Sequence, residues 1–434
     1  MTPAGGSYRS GAAAAAAQYD GPDTLTASRE CADADADGRS RALALLSVAL
    51  VLCMAPWFSA AAVIPALRGV WQLSNGQAAW LTIAVQLGFV GGAVVSAAFN
   101  LPDLVAPRHL IVGGAGGAAL ANVLLLSVGG PGWAIPLRFL VGFCLAYVYP
   151  TALKLVSTWF VRGRGMALGV LVGAMTVGTA APHLVNALGG LDWQVVIIVT
   201  SLSTLAGGVL VWTSVREGPF AFPRAVFDLG QAGQVVRNRG VRLASLGYFG
   251  HMWELFAMWA WFLTFFSDEL RVAGRASGTA AAFATFAVIA IGGVGCWAGG
   301  LLGDRWGRTQ TTILMMSASG VCAVLIGLLY GRSPWLVLGL GLVWGITVVG
   351  DSAQFSAVVT EVGEPAYIGT ALTLQLAVGF VLTVVTIRLV PLLQAGVGWR
   401  WAFAFLAPGP VLGVLAMARL HSLPEARRIA GGRG

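Results

Sequence analysis

Apolar runs of about twenty residues alternate with short polar links along most of this 434-residue chain. Twelve runs fit, at about 42–64, 77–99, 109–128, 134–158, 166–189, 193–215, 241–267, 278–302, 310–330, 334–359, 368–394 and 400–420. Each can cross about 30 Å of hydrocarbon as a helix. Helices are expected because a spanning segment must pair every backbone polar group within itself. The short alternating segments of a β-barrel are missing from the pattern. Most links are short, which favours antiparallel neighbours. The exception, 216–240, carries Arg216, Arg224, Arg237 and Arg239 and divides the runs six and six. The pattern predicts an all-α membrane protein of 12 transmembrane helices in two six-helix bundles, 41–215 and 241–422, joined by a linker. Residues 1–40 and 423–434 are expected to be tails, the first of them disordered because it is rich in Ala, Gly, Ser and Asp.

The two halves repeat. Gly303-Asp304-Arg305-Trp306-Gly307-Arg308 links the eighth and ninth runs, and Asn100 to Arg108 occupies the same place between the second and third. Asp103 and Asp304 are corresponding positions. Pro150 to Lys154 aligns with Gly350 to Gln354, and Trp193-Gln194 with Trp399-Arg400. Parallel halves of this kind are pseudo-symmetric and place a cavity at their interface, near the membrane midplane.

Composition agrees with a membrane solvent: 57% of residues are hydrophobic and 10% charged, where a soluble domain carries about a quarter. The net charge of +8 comes from arginines, with Lys154 the only lysine. These charges sit in the links, so they report topology and not nucleic-acid binding. Arginines 108, 162, 164, 305, 308, 419, 427 and 428 fall on one side together with the central link, which puts both termini in the cytoplasm and the protein in the plasma (inner) membrane. Five scattered cysteines show no metal spacing and no disulfide framework. No Walker loop is present, and no enzyme site, metal or cofactor is expected.

These residues resemble the major facilitator superfamily over about 41–422. Gly303 to Arg308 is a good copy of that family's cytoplasmic-loop motif, and Arg138-Phe139-Leu140-Val141-Gly142 is similar to its fourth-span motif. The resemblance implies a cytoplasmic gate made by Asp304 and Arg308, echoed by Asp103 and Arg108 in the first half, where Ala106 and Pro107 replace the glycine turn. It also implies a cavity lined by the first, fourth, seventh and tenth spans. The fifth span lacks the Gly-Pro pair of drug antiporters, since Ala174 follows Gly173. The texture is most similar to prokaryotic small-anion transporters of the nitrate and cyanate type, although the second and eighth spans lack the arginines that nitrate porters use.

Ionisable groups at membrane depth are costly and mark sites. They are Arg138, Lys154, His183, His251, Glu254, Asp351 and Arg388, with Lys154, Asp351 and Arg388 expected toward span ends. In the seventh run Gly247, His251, Glu254, Met258, Trp261 and Phe265 share one helix face. His251 and Glu254 are therefore candidates for mutual hydrogen bonding and proton coupling, the structural alternative being a buried packing pair. Trp344 and Asp351 share a face in the tenth span, and Arg138 and Tyr149 in the fourth; Trp57 stands beside the helix-breaking Pro56. Trp57, Arg138, Tyr149, His251, Glu254, Trp261, Trp344 and Asp351 form the candidate substrate set, each with an ordinary packing role as its alternative. For Arg138 that alternative is a clamp on backbone carbonyls. Gly165, Gly169, Gly173, Thr176, Ala180 and His183 read as a small-residue packing seam.

Together these features predict a monomeric secondary transporter of a small anionic solute, by alternating access and with proton coupling. An exporter of lipophilic compounds and a non-transporting receptor or assembly factor are the alternatives.

Overall fold

Helix starts follow local chemistry. Ser74 and Gln77 form a capping box at the second span, and Asp192, Asn238 and Ser277 cap the sixth, seventh and eighth. Proline occupies the first turn at Pro107, Pro131, Pro334 and Pro408, where its missing N–H costs nothing. The computed structural model describes residues 22–160, 163–189, 192–220, 232–364 and 367–434, with side chains for all of these except 22–37, 102, 103, 164 and 232. Ten of its helices are long and apolar enough to cross a membrane. Two further spans complete twelve: the broken first, and the seventh, Arg239–Val272, whose Trp, Tyr, His and Glu residues lower its hydropathy.

Helix already begins at Pro22 and runs to Met54, inside the stretch expected to be disordered. Alanine is frequent between residues 27 and 43, and its high helix propensity accounts for the extension. Four spans are interrupted near mid-height. The first breaks after Met54, the fourth between Leu145 and Tyr149, the eighth at Ile291 and the tenth at Asp351. At the first break, Pro56 cannot donate to the Leu52 carbonyl. Ser203 of the sixth span donates to that oxygen instead, at 3.1 Å.

Packing obeys the repeat. In the first half, span 1 packs on 6 and 5, span 2 on 4, and span 3 on 4 and 6. In the second half, span 7 packs on 12 and 11, span 8 on 10, and span 9 on 10 and 12. The bundles meet along two pseudo-equivalent seams, span 5 (Arg164–Leu188) on span 8 (Gly278–Ala290 and Gly292–Trp306), and span 2 (Asn75–Ala98) on span 11 (Ile368–Val397).

Candidate functional site

The seam of spans 5 and 8 is made of near-bare backbone. A Cβ added at Gly169 would lie 2.9 Å from the Cys296 carbonyl oxygen, one at Gly173 3.0 Å from that of Gly293, and one at Gly300 3.3 Å from that of Gly165. The small-residue stripe of the fifth span is thus the hinge line between bundles, where small residues let backbones approach.

At the end of this seam stands the 303–308 motif. The Asp304 carboxylate lies over Gly165, so close that a Cβ there would sit 2.7 Å from Oδ1, and it joins the second bundle to the first turn of the fifth span. A carboxylate is favoured beside the positive end of a helix. Arg308 turns away from the seam. It donates to Glu361 (Nε–Oε1 3.0 Å) and to Gln354 Oε1 (2.9 Å), with Asp304 Oδ1 further off at 3.6 Å. The principal partner of Arg308 is therefore Glu361, a residue that spacing within the motif could not indicate. The pseudo-equivalent gate differs: Arg108 is exposed and lies over the Trp212 ring at 5.4 Å, a cation–π contact. Asp103 lies outside the described residues.

Midway along the interface, rings from both bundles interlock. Trp57 meets Phe89 at 4.9 Å, Phe256 at 5.9 Å and Phe380 at 5.9 Å; Phe256 meets Phe380 at 5.2 Å and Trp259 at 5.4 Å. The second and eleventh spans supply two of these rings, Phe89 and Phe380, neither of them among the candidates read from sequence. Several polar atoms here have no hydrogen-bond partner among the described residues: Trp57 Nε1, Trp259 Nε1, both amide atoms of Gln86 one turn from Phe89, and Gln375 Nε2. Buried donors and acceptors are nearly always paired with protein or water, so these groups are available to a ligand or a water at the bundle interface.

Arg138 is fully buried and faces its own bundle. Its three guanidinium nitrogens are engaged by five acceptors: Nε by the Leu81 carbonyl (3.3 Å), Nη1 by the Pro56 carbonyl (2.8 Å), Ser59 Oγ (3.0 Å) and Asn122 Oδ1 (3.2 Å), and Nη2 by the Trp57 carbonyl. It ties the broken first span to spans 2, 3 and 4. Every guanidinium nitrogen is engaged inside its own bundle, so the arginine that motivated an anion serves as a clamp on main-chain carbonyls and neutral side chains.

The seventh span pairs differently from the sequence expectation. His251 and Glu254 point to different partners. His251 Nδ1 is 2.8 Å from Asp351 Oδ1, which is buried at the break of the tenth span and not near a span end. Glu254 accepts from Trp344 Nε1 (2.6 Å) and from Ser319 Oγ (2.7 Å), and no cation pairs with it among the described residues. Trp261 Nε1 donates to the Ile387 carbonyl at 2.9 Å, so it braces the seventh span against the eleventh. Tyr149 is half-buried.

Two six-span bundles related by a repeat, meeting at small-residue seams around a polar-flecked aromatic centre, define a multi-pass membrane transporter and not an enzyme. The family follows from the sequence: residues 46–387 match the model of the Major Facilitator Superfamily, and the chain belongs to it. A solved structure of a bacterial homologue of the human lysosomal transporter Spinster, inward-facing and unoccupied, is similar in fold. It aligns with a TM-score of 0.61 at 15% identity, covering 90% of this chain and 97% of that one. No curated protein matches the sequence.

Proposed function

We propose that this protein moves a small organic solute by alternating access, with a proton carried on Glu254. The interlocked rings with unpaired indole and amide groups carry this reading. Stacking surfaces suit a planar apolar body, and the Trp57 and Trp259 N–H groups suit hydrogen-bond acceptors on its edge. A bare inorganic anion would need cationic donors turned toward the interface, and the Arg138 guanidinium is held by five acceptors of its own bundle. The anionic expectation narrows accordingly to weak organic acids, whose charge a cotransported proton offsets. The nitrate and cyanate branch is not retained.

Glu254 suits a proton carrier because its surroundings accept both charge states. Ser319 Oγ has one hydrogen and two acceptors, Glu254 Oε2 at 2.7 Å and the Met316 carbonyl at 3.3 Å. With Glu254 ionised, the hydroxyl donates to it. With Glu254 protonated, the carboxyl donates to Ser319 and the hydroxyl turns to Met316. An ionised Glu254 without a cation is costly at membrane depth, which couples its charge to bundle rearrangement. The arginine-rich motif face is placed in the cytoplasm of a plasma-membrane protein, with both termini there. One copy holds both halves of the pathway, so a monomer suffices.

Proteoliposome uptake tests this. Benzoate should enter under an inward proton gradient and nitrate should not, and Glu254→Gln should abolish the gradient response while leaving benzoate exchange. Nitrate uptake without benzoate uptake would overturn the solute class, and an unaltered gradient response in Glu254→Gln would remove the carrier. Export of lipophilic compounds is the second reading, favoured by the same rings; flux of an uncharged aromatic dye with no flux of benzoate would establish it.

A further inference from the structure

The residues after the twelfth span are not a loose tail. Pro424–Gly431 forms a short helical segment that packs on the tenth and twelfth spans, with Ile429 fully buried. Beyond it the chain lies on the 303–308 motif. Arg433 Nη1 donates to the Asp304 carbonyl at 2.7 Å, and the Ala430 N–H donates to Glu361 Oε2 at 3.0 Å. Gly307, at φ +107°, makes room for this: a Cβ there would overlap the Arg433 carbonyl oxygen.

We infer that residues 424–434 are a detachable brace that presets the bundle latch and so restrains opening at the motif face. Three features connect the segment to the seam. The last carbonyls of a helix lack partners within it, and Arg433 satisfies that of Asp304, fixing the final turn of the eighth span. The Asp304 side chain on the same turn carries the contact with Gly165 of the other bundle. Glu361 is shared between Arg308 and the Ala430 N–H, so the segment also fixes the partner of the gate arginine. With the segment released, Asp304 and Glu361 lose their positioning and the seam opens more often. The inference is independent of solute and coupling ion.

A native reporter sits on the seam. Cys296 is buried against the fifth span, with Sγ 4.0 Å from Thr176 Oγ1. Cys53 and Cys322 are buried within the first and second bundles respectively. The test is the rate of N-ethylmaleimide modification at each cysteine, read by peptide mass spectrometry on the full chain in nanodiscs. In Arg433→Ala the Cys296 rate should rise about fivefold, the shift expected for losing one exposed hydrogen bond of about 1 kcal/mol. Ile429→Asp, which expels the segment outright, should raise it further. Cys53 and Cys322 should keep their parental rates in both variants. An unaltered Cys296 rate overturns the inference. So does a parallel rise at all three cysteines, because the segment would then merely support the fold.

Discussion

Replacing Arg138 by alanine separates the two roles open to a buried arginine. In the structure its guanidinium makes five hydrogen bonds and no ion pair, and three of the acceptors are main-chain carbonyls, two of them at the break of the first span. The alanine variant takes one donor from each of the Pro56, Trp57 and Leu81 carbonyls and the Asn122 side chain, of which the Pro56 carbonyl keeps the Ser59 N–H at 3.2 Å and Asn122 Oδ1 keeps the Ser59 hydroxyl at 2.8 Å. Hydrogen bonds between membrane helices average about 0.6 kcal/mol in double-mutant cycles. Bonds to a charged group lie higher, at about 1.5–3 kcal/mol. Part of this is returned because a buried charge no longer has to be kept out of water. The expected net loss is about 3–5 kcal/mol, which corresponds to a fall on the order of 5–10 °C in apparent Tm. Arg138→Lys keeps the charge but presents three donors in place of a planar fork of five, so its Tm should fall between parent and alanine variant. The assay is intrinsic-fluorescence melting in detergent, run beside benzoate and nitrate titrations. An alanine variant that melts with the parent while losing solute affinity would refute the clamp and restore Arg138 as an anion site.

Packing within the second bundle makes two further predictions. Gly299→Ala and Gly345→Ala place a Cβ into the Gly350 and Val288 carbonyls and should lower apparent Tm by several degrees, whereas Gly113→Ala and Gly339→Ala meet nothing within 4 Å and should leave it unaltered or raised; thermal melts of the four variants decide. His251 and Asp351 should be energetically coupled: a double-mutant cycle with His251→Asn and Asp351→Asn should return an interaction of about 1–3 kcal/mol, and additive Tm losses would show that the 2.8 Å contact carries no energy.

What the sequence revealed and what it concealed divide along one physical line. Spans, the six-plus-six repeat and the small-residue stripe of the fifth span were legible because hydrocarbon imposes length and apolarity on a helix and close approach imposes glycine, constraints that act on neighbours in sequence. The ionisable groups that the apolar runs enclose were legible for the same reason, and of these Arg138, His183, His251 and Glu254 are buried. Their partners were not legible. A helical face at three- and four-residue spacing suggested that His251 and Glu254 answer each other, yet each turns to the tenth span, to Asp351 and to Trp344. The expectation that Asp351 lay near a span end failed because the tenth span breaks at that residue, which no nearby proline announces. Likewise Phe89 and Phe380 were not among the candidates read from sequence and become the centre only where spans 2 and 11 pack on each other. In an apolar chain, hydropathy places a residue in depth but not in azimuth. The few polar side chains fix the azimuth by finding one another across helices. That is why their unpaired remainder, on Trp57, Gln86 and Trp259, is the most informative feature of the interface.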